Sequence, residues 1–274
     1  MAVCLAAAGV AVEIFFVQSA SGQRLDASTF GAVVPLRALV GVWADRLRLV
    51  LPGLAAAVAL VALVAAVVRG RWRSTIAPVA LVLLTLAIST GLKDLIVVRP
   101  NLGDFGYPQN TFPSGHTAVT VAALVAFYWL LPRPQPLVTI PLTILGSGAA
   151  LFQVVSYAHR VSDVIAGALL VGVLASLFVG PAGAMRARWR WLFWIAVVLT
   201  AAGGALCLMA WESSGYDSIR QWTATAGIAL TAGAGVGAAV TASAERPARS
   251  RGSSVIGPDG ASAAGRREGS TARS

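Results

Sequence analysis

Apolar runs close to twenty residues long, separated by short polar windows, cover most of the chain. Eight such segments stand out, at roughly 2–18, 49–68, 76–97, 115–131, 137–157, 163–180, 191–211 and 222–242. Leu49–Val68 holds twenty residues without a charge. At about 1.5 Å per helical residue that is enough to cross a hydrocarbon core about 30 Å thick. A chain crossing lipid must satisfy its backbone internally, so these runs predict helices. The fold class is therefore all-α, a polytopic membrane helical bundle of about eight transmembrane helices.

Details of the pattern refine the elements. Ala2–Val17 has no positive segment before it and is predicted as a first span rather than a cleaved signal. Glu13 inside it must face the bundle or sit near an end. Pro52, Pro78 and Pro141 fall near predicted helix starts, where a missing N–H costs little. Residues 19–48 are mixed, and Phe30–Trp43 fits either an interfacial amphipathic piece or a connecting loop. Gly227, Gly233, Gly235 and Gly237 give the last segment a close-packing face, read as intramolecular packing ahead of dimerisation. Residues 244–274 are Ser, Gly, Ala, Pro and Arg with almost nothing large and apolar, which predicts a disordered basic tail behind a 1–243 membrane domain. Oligomeric state is left open.

Composition agrees with the pattern. The chain is 57% hydrophobic and only 12% charged, against about 25% charged for soluble domains. The net charge of +10 does not signal nucleic acid, because the arginines lie between apolar segments and in the tail, with no aromatic-basic surface. Cys4 and Cys207 lie inside apolar segments and read as small buried hydrophobes. No cysteine or carboxylate cluster suggests a metal, and no cofactor is expected.

Arginine placement predicts the topology. With the N-terminus cytoplasmic, thirteen arginines fall on that side: Arg69, Arg71, Arg73, Arg133, Arg186, Arg188, Arg190 and six in the tail. Eight cations fall on the other side: Arg24, Arg37, Arg46, Arg48, Arg220, Lys93, Arg99 and Arg160. This orientation places the protein in the cell membrane with three polar windows facing the extracytoplasmic side.

Those windows hold both histidines and the only lysine of the chain. Lys93 and Arg99 are two cations six residues apart near a helix end, able to converge on one anion. Pro113-Ser114-Gly115-His116 opens an apolar helix; its first N–H groups suit an anion, with Ser114 as a donor and His116 beside it. His159 and Asp163, at i and i+4, are expected to share a helix face, where a carboxylate on one imidazole nitrogen leaves the other as a nucleophile. The pattern points to chemistry on a phosphate.

Together the windows resemble the three-part signature of the type 2 phosphatidic acid phosphatase superfamily, the lipid phosphate phosphatases: Lys-x6-Arg-Pro, Pro-Ser-Gly-His and Ser-Arg-x5-His-x3-Asp. The resemblance covers roughly residues 76–180. It implies a helical bundle with a six-helix type of core, an extracytoplasmic site and no metal. It also implies His159 as the nucleophile forming a phosphohistidine, Asp163 as its orienting group, and His116 as proton donor to the leaving oxygen. Lys93, Arg99, Ser114 and the Gly115 amide would hold the phosphoryl oxygens. Two departures stand out. Five residues, not six, separate Lys93 from Arg99, so Arg99 is expected either to reach the phosphate from nonhelical backbone or to have a weaker role. Phe152-Gln153 replaces Ser-Arg, so Gln153 offers only a neutral donor and Arg160 is the candidate to replace the missing charge. The expected activity is hydrolysis of a membrane lipid phosphate or diphosphate. The alternatives are a lipid phosphotransferase using the same histidine and a noncatalytic lipid-binding or transport protein.

Overall fold

The computed structural model describes residues 2–105, 109–132 and 138–179. Helices account for the regular structure of these residues, with no strand among them. In chain order they are α1 (Ala2–Phe16), α2 (Ala20–Ala32), α3 (Val34–Val68), a short 3-10 turn (Trp72–Thr75), α4 (Ile76–Gly91), a π turn (Leu92–Ile96), α5 (Gly115–Leu130), α6 (Thr139–Val155) and α7 (Val161–Val179). The segments expected at 191–211 and 222–242, the glycine-rich face, Cys207 and the 244–274 tail lie outside the described residues.

α5 is the central helix. It packs against α3, α4, α6 and α7, and nearly all of it is buried, from Thr117 and Ala118 through Tyr128, Trp129 and Leu130. α3, α4 and α1 instead turn large apolar side chains outward, among them Ile14, Val50, Leu60, Val61, Val64, Leu83 and Leu86. A contiguous apolar exterior of this kind needs an apolar surrounding, which is compatible with a multi-pass membrane protein. Cys4 belongs to that exterior; it is free and exposed, not buried as expected.

Among the described residues, three helical stretches are apolar and long enough to span by length and composition: Val34–Val68, Trp72–Ile96 and Val161–Phe178, or four if α1 and α2 form one broken span. Of the eight spans expected, those at 191–211 and 222–242 lie outside the described residues. Within the described residues α5 and α6 are shorter, at 16 and 17 residues. α5 is enclosed by its neighbours, so protein rather than lipid surrounds most of it.

Residues 19–48 differ from the expected mixed segment. α1 and α2 meet at a 90° bend, capped by the Ser19 hydroxyl, which accepts from Gly22 N at 3.0 Å. Phe30–Trp43 is no separate piece: it runs across the junction into α3, a single helix of 35 residues, about 52 Å long at 1.5 Å per residue. Pro78 and Pro141 do sit in first turns, but Pro52 lies inside α3. Its ring leaves the Arg48 carbonyl without the usual helical N–H, and Gln153 Nε2 on α6 donates to that carbonyl at 2.8 Å. Glu13 lies near the end of α1, where it accepts from Gln18 Nε2 at 2.7 Å.

The two ends of the bundle are chemically distinct. At one end Arg71 Nη1 donates to the Leu130 carbonyl at the C-terminus of α5, at 3.2 Å, a favourable place for a cation. At the other end the π turn after α4, the start of α5 and the start of α7 come together, bringing all three polar windows to one mouth.

Candidate functional site

Each window is built by local chain chemistry. α5 begins with Ser114 as its cap: the hydroxyl accepts from Thr117 N at 3.4 Å and lies 3.1 Å from Thr117 Oγ1. Ser114 N donates to the Asp163 carbonyl at 2.8 Å, which ties this turn to α7. The close approach needs a glycine: a Cβ on Gly167 would lie 2.7 Å from the Ser114 carbonyl oxygen. Gly115 and His116 follow at the first positions of α5, with His116 exposed at the mouth.

His159 comes from the turn between α6 and α7, not from a helix face as expected. α6 ends in a Schellman arrangement, with Tyr157 N bonded to Val154 O at 2.9 Å and Ala158 N to Gln153 O at 3.1 Å. Tyr157 takes the left-handed position, φ 58°, which costs a non-glycine residue about 1–2 kcal/mol. Its side chain holds the turn in return. The hydroxyl donates to Phe30 O at 3.3 Å, the ring meets Phe30 edge-on at 5.2 Å, and Arg37 lies over it at 4.5 Å. His159 N donates to Gln153 O at 3.1 Å.

Asp163 sits in the first turn of α7 and caps it. Its Oδ2 accepts from Arg160 N at 3.0 Å and from the Thr111 hydroxyl, the carboxylate half of a capping box. The same oxygen lies 3.5 Å from His159 Nδ1. That places the carboxylate against the nitrogen it must engage if the other nitrogen is to stay free. The His116 and His159 rings face each other across the mouth with centroids 6.2 Å apart at 61°.

Lys93 is exposed on the π turn, whose extra residue per turn changes its direction relative to an α-helical register. Arg99 lies beyond it on nonhelical backbone, the first of the two outcomes expected from its spacing. Asn110 Nδ2 bridges this segment, donating to Lys93 O at 3.0 Å and Val97 O at 2.7 Å. The Arg99 side chain is buried, with Nη2 3.4 Å from Phe16 O and 3.6 Å from Asp26 Oδ2. Its Nη1 is buried with no hydrogen-bond partner among the described residues. Burial lowers the Arg99 pKa, and the Arg160 charge beside it lowers it further, while Asp26 and Asp163 oppose the shift. Arg160 is buried as well, and its Nη2 reaches Phe105 O at 3.5 Å.

The two histidines, Asp163, Ser114, Gly115 and Arg160 thus cluster, with Arg99 next to Arg160 and Lys93 acting electrostatically on His116 from the rim. Gln153 has its amide committed to the Arg48 carbonyl. Several contributors carried no clear signal in the sequence: Thr111 on Asp163, Asn110 under the Lys93 turn, Arg48 as a charged neighbour of His116, and Asp26 behind Arg99. Thr111 and Asn110 adjoin the proline-glycine turn and were within reach of a local reading. Arg48 and Asp26 lie far away in the chain.

The candidate site thus combines a buried cation with a donor unpaired among the described residues, a helix N-terminus and two neighbouring imidazoles, one of them beside a carboxylate. Residues 93–188 match the family model of the PAP2 superfamily, and this stretch includes every window residue of the site. This stretch is thus similar to the PAP2 superfamily, a likeness that supports phosphatase activity on phosphate esters. No curated protein and no solved structure matches the chain.

Proposed function

We propose that the protein is a membrane phosphatase that hydrolyses a lipid phosphate or diphosphate at the extracytoplasmic face, without a metal, through a phosphohistidine on His159. The observation that carries this reading is the facing pair of imidazoles at 6.2 Å, with Asp163 Oδ2 3.5 Å from His159 Nδ1. Asp163 holds the proton on Nδ1 and leaves Nε2 its lone pair. Nε2 attacks phosphorus, the phosphorus–oxygen bond to the leaving group breaks, and His116 gives that oxygen its proton. His116 then takes a proton from water, the resulting hydroxide attacks the phosphohistidine, and inorganic phosphate departs with His159 restored. Arg99, Arg160, Lys93, the Ser114 hydroxyl and the Gly115 N–H hold the negative oxygens.

A lipid substrate is supported by the apolar exterior, which meets the site at the helix mouths, where a headgroup lies when its chains are in the bilayer. The arginine bias supports an extracytoplasmic site. The test is acid-free trapping of the intermediate: purified protein mixed with a phosphorus-32 lipid diphosphate, or phosphatidic acid labelled in its phosphate, and quenched in alkali. The label is expected on His159, stable to alkali and lost in acid. Label that persists in His159→Ala would remove the nucleophile from this mechanism. Release of the label to an added alcohol, in place of water, would make the protein a phosphotransferase.

A further inference from the structure

α2 lies outside the stretch matched by the family model, yet it grips the site from behind at two levels. Gln23 Nε2 donates to Val17 O at 2.7 Å and to Pro100 O at 2.9 Å, fixing the residue after Arg99. One turn on, the wholly buried Asp26 lies 3.6 Å from Arg99 Nη2 through Oδ2. The same carboxylate accepts from the Ser162 hydroxyl at 2.5 Å through Oδ2 and from Ser162 N at 3.2 Å through Oδ1. Ser162 is the neighbour of Asp163 in the first turn of α7. Asp26 therefore joins Arg99, a cation on nonhelical backbone, to the helix that orients the nucleophile.

The electrostatics give this contact a purpose. Arg99 and Arg160 are both buried, and the Arg160 charge disfavours the charged form of Arg99. The chain around Arg99 offers no helix to set its direction, since Val97–Pro100 lies outside any helix. A carboxylate behind Arg99 holds one edge of the guanidinium and leaves Nη1 free among the described residues. An arginine so held needs no reordering when a phosphoryl group arrives.

We propose that Asp26 is a positioning residue of this active site, holding Arg99 in place for the phosphoryl oxygens and fastening it to the start of α7 through Ser162. The proposal rests on the phosphatase reading above and extends the working site to a helix beyond the matched region.

The test compares wild type, Asp26→Asn, Arg99→Gln, the double variant and His159→Ala, as full-length protein in detergent. The substrate is short-chain phosphatidic acid or a short polyprenyl diphosphate, whichever wild type turns over faster, with vanadate as inhibitor. Asparagine keeps an acceptor for Ser162 and removes the counter-charge. Asp26→Asn is expected to raise KM and the vanadate inhibition constant about tenfold, with kcat within about threefold, because binding rather than folded fraction is lost. In the Arg99→Gln background the same change is expected to add less than about twofold. A purely structural Asp26 would lower kcat at constant KM, and that result overturns the proposal. So does wild-type KM in Asp26→Asn, or a full tenfold added on top of Arg99→Gln. If Asp26→Asn does not fold, the double variant, which removes both charges, is expected to fold and share the KM of Arg99→Gln; its failure to fold refutes the pairing. Wild-type activity that His159→Ala abolishes and Asp26→Asn leaves untouched sinks this inference alone. No phosphate release by wild type sinks the phosphatase reading and this inference with it.

Discussion

His116 and His159 differ in burial, and the difference suits their proposed duties. His159 is buried at the base of the mouth against Asp163, while His116 is exposed at its rim, where a leaving oxygen can reach it. A proton donor matters most when the leaving group is a poor one. His116→Ala should therefore lower kcat on an alkyl phosphate by about a hundredfold or more, and on p-nitrophenyl phosphate by less than about tenfold; steady-state rates on the two esters check this. Equal losses on both would remove the proton-donor role. His116, His159, Asp163 and Ser114 were legible in the sequence because each pairing is short in chain distance and each helix start has its own signature. The way His159 meets Asp163 was not. A shared helix face was expected, and a Schellman turn followed by a capping carboxylate does the work instead. Asp26 gave no signal, since its partners Arg99 and Ser162 lie 73 and 136 residues away.

The short spacing between Lys93 and Arg99 is accommodated by an element, not by a side chain. A π turn at Leu92–Ile96 closes with Val97 N bonded to Leu92 O at 2.7 Å, and the chain then leaves the helix before Arg99. Gln153 is likewise explained at this scale. Pro52 frees the Arg48 carbonyl inside α3, and the Gln153 amide on α6 fills the vacancy left by the missing N–H. Sequence periodicity treated Pro52 as a helix start because residues 19–48 are too polar to extend the apolar run backward; packing of α3 on α6 overrides that. Gln153→Leu should leave a buried carbonyl unpaired and cost about 1–3 kcal/mol, seen as a lower melting temperature in detergent. Adding Pro52→Ala restores an N–H to that carbonyl and should recover part of the loss. Independent, additive losses would show that the two residues do not act on the same carbonyl.

At the scale of the molecule, the helical class and the meeting of the three polar windows at one end were legible from hydropathy and motif spacing, as far as the described residues go. The number of spans was less so. Length rules assume that every helix meets lipid, and α5 is enclosed by α3, α4, α6 and α7. The proposed orientation puts the site outside and Arg71 at the opposite, cytoplasmic end. In protein lacking Cys4 and Cys207, Asp104→Cys should react with an impermeant thiol reagent on intact cells, and Arg73→Cys only after permeabilisation; both positions are exposed. The reverse labelling would invert the topology. The most direct test of the proposed function is free phosphate released by purified protein in EDTA from a panel of phosphatidic acid, phosphatidylglycerol phosphate and polyprenyl diphosphate. Wild type is expected to release phosphate from at least one of them without added metal, and His159→Ala from none. Undiminished release by His159→Ala, or release that appears only when Mg²⁺ is restored, would contradict a metal-independent phosphatase working through this histidine.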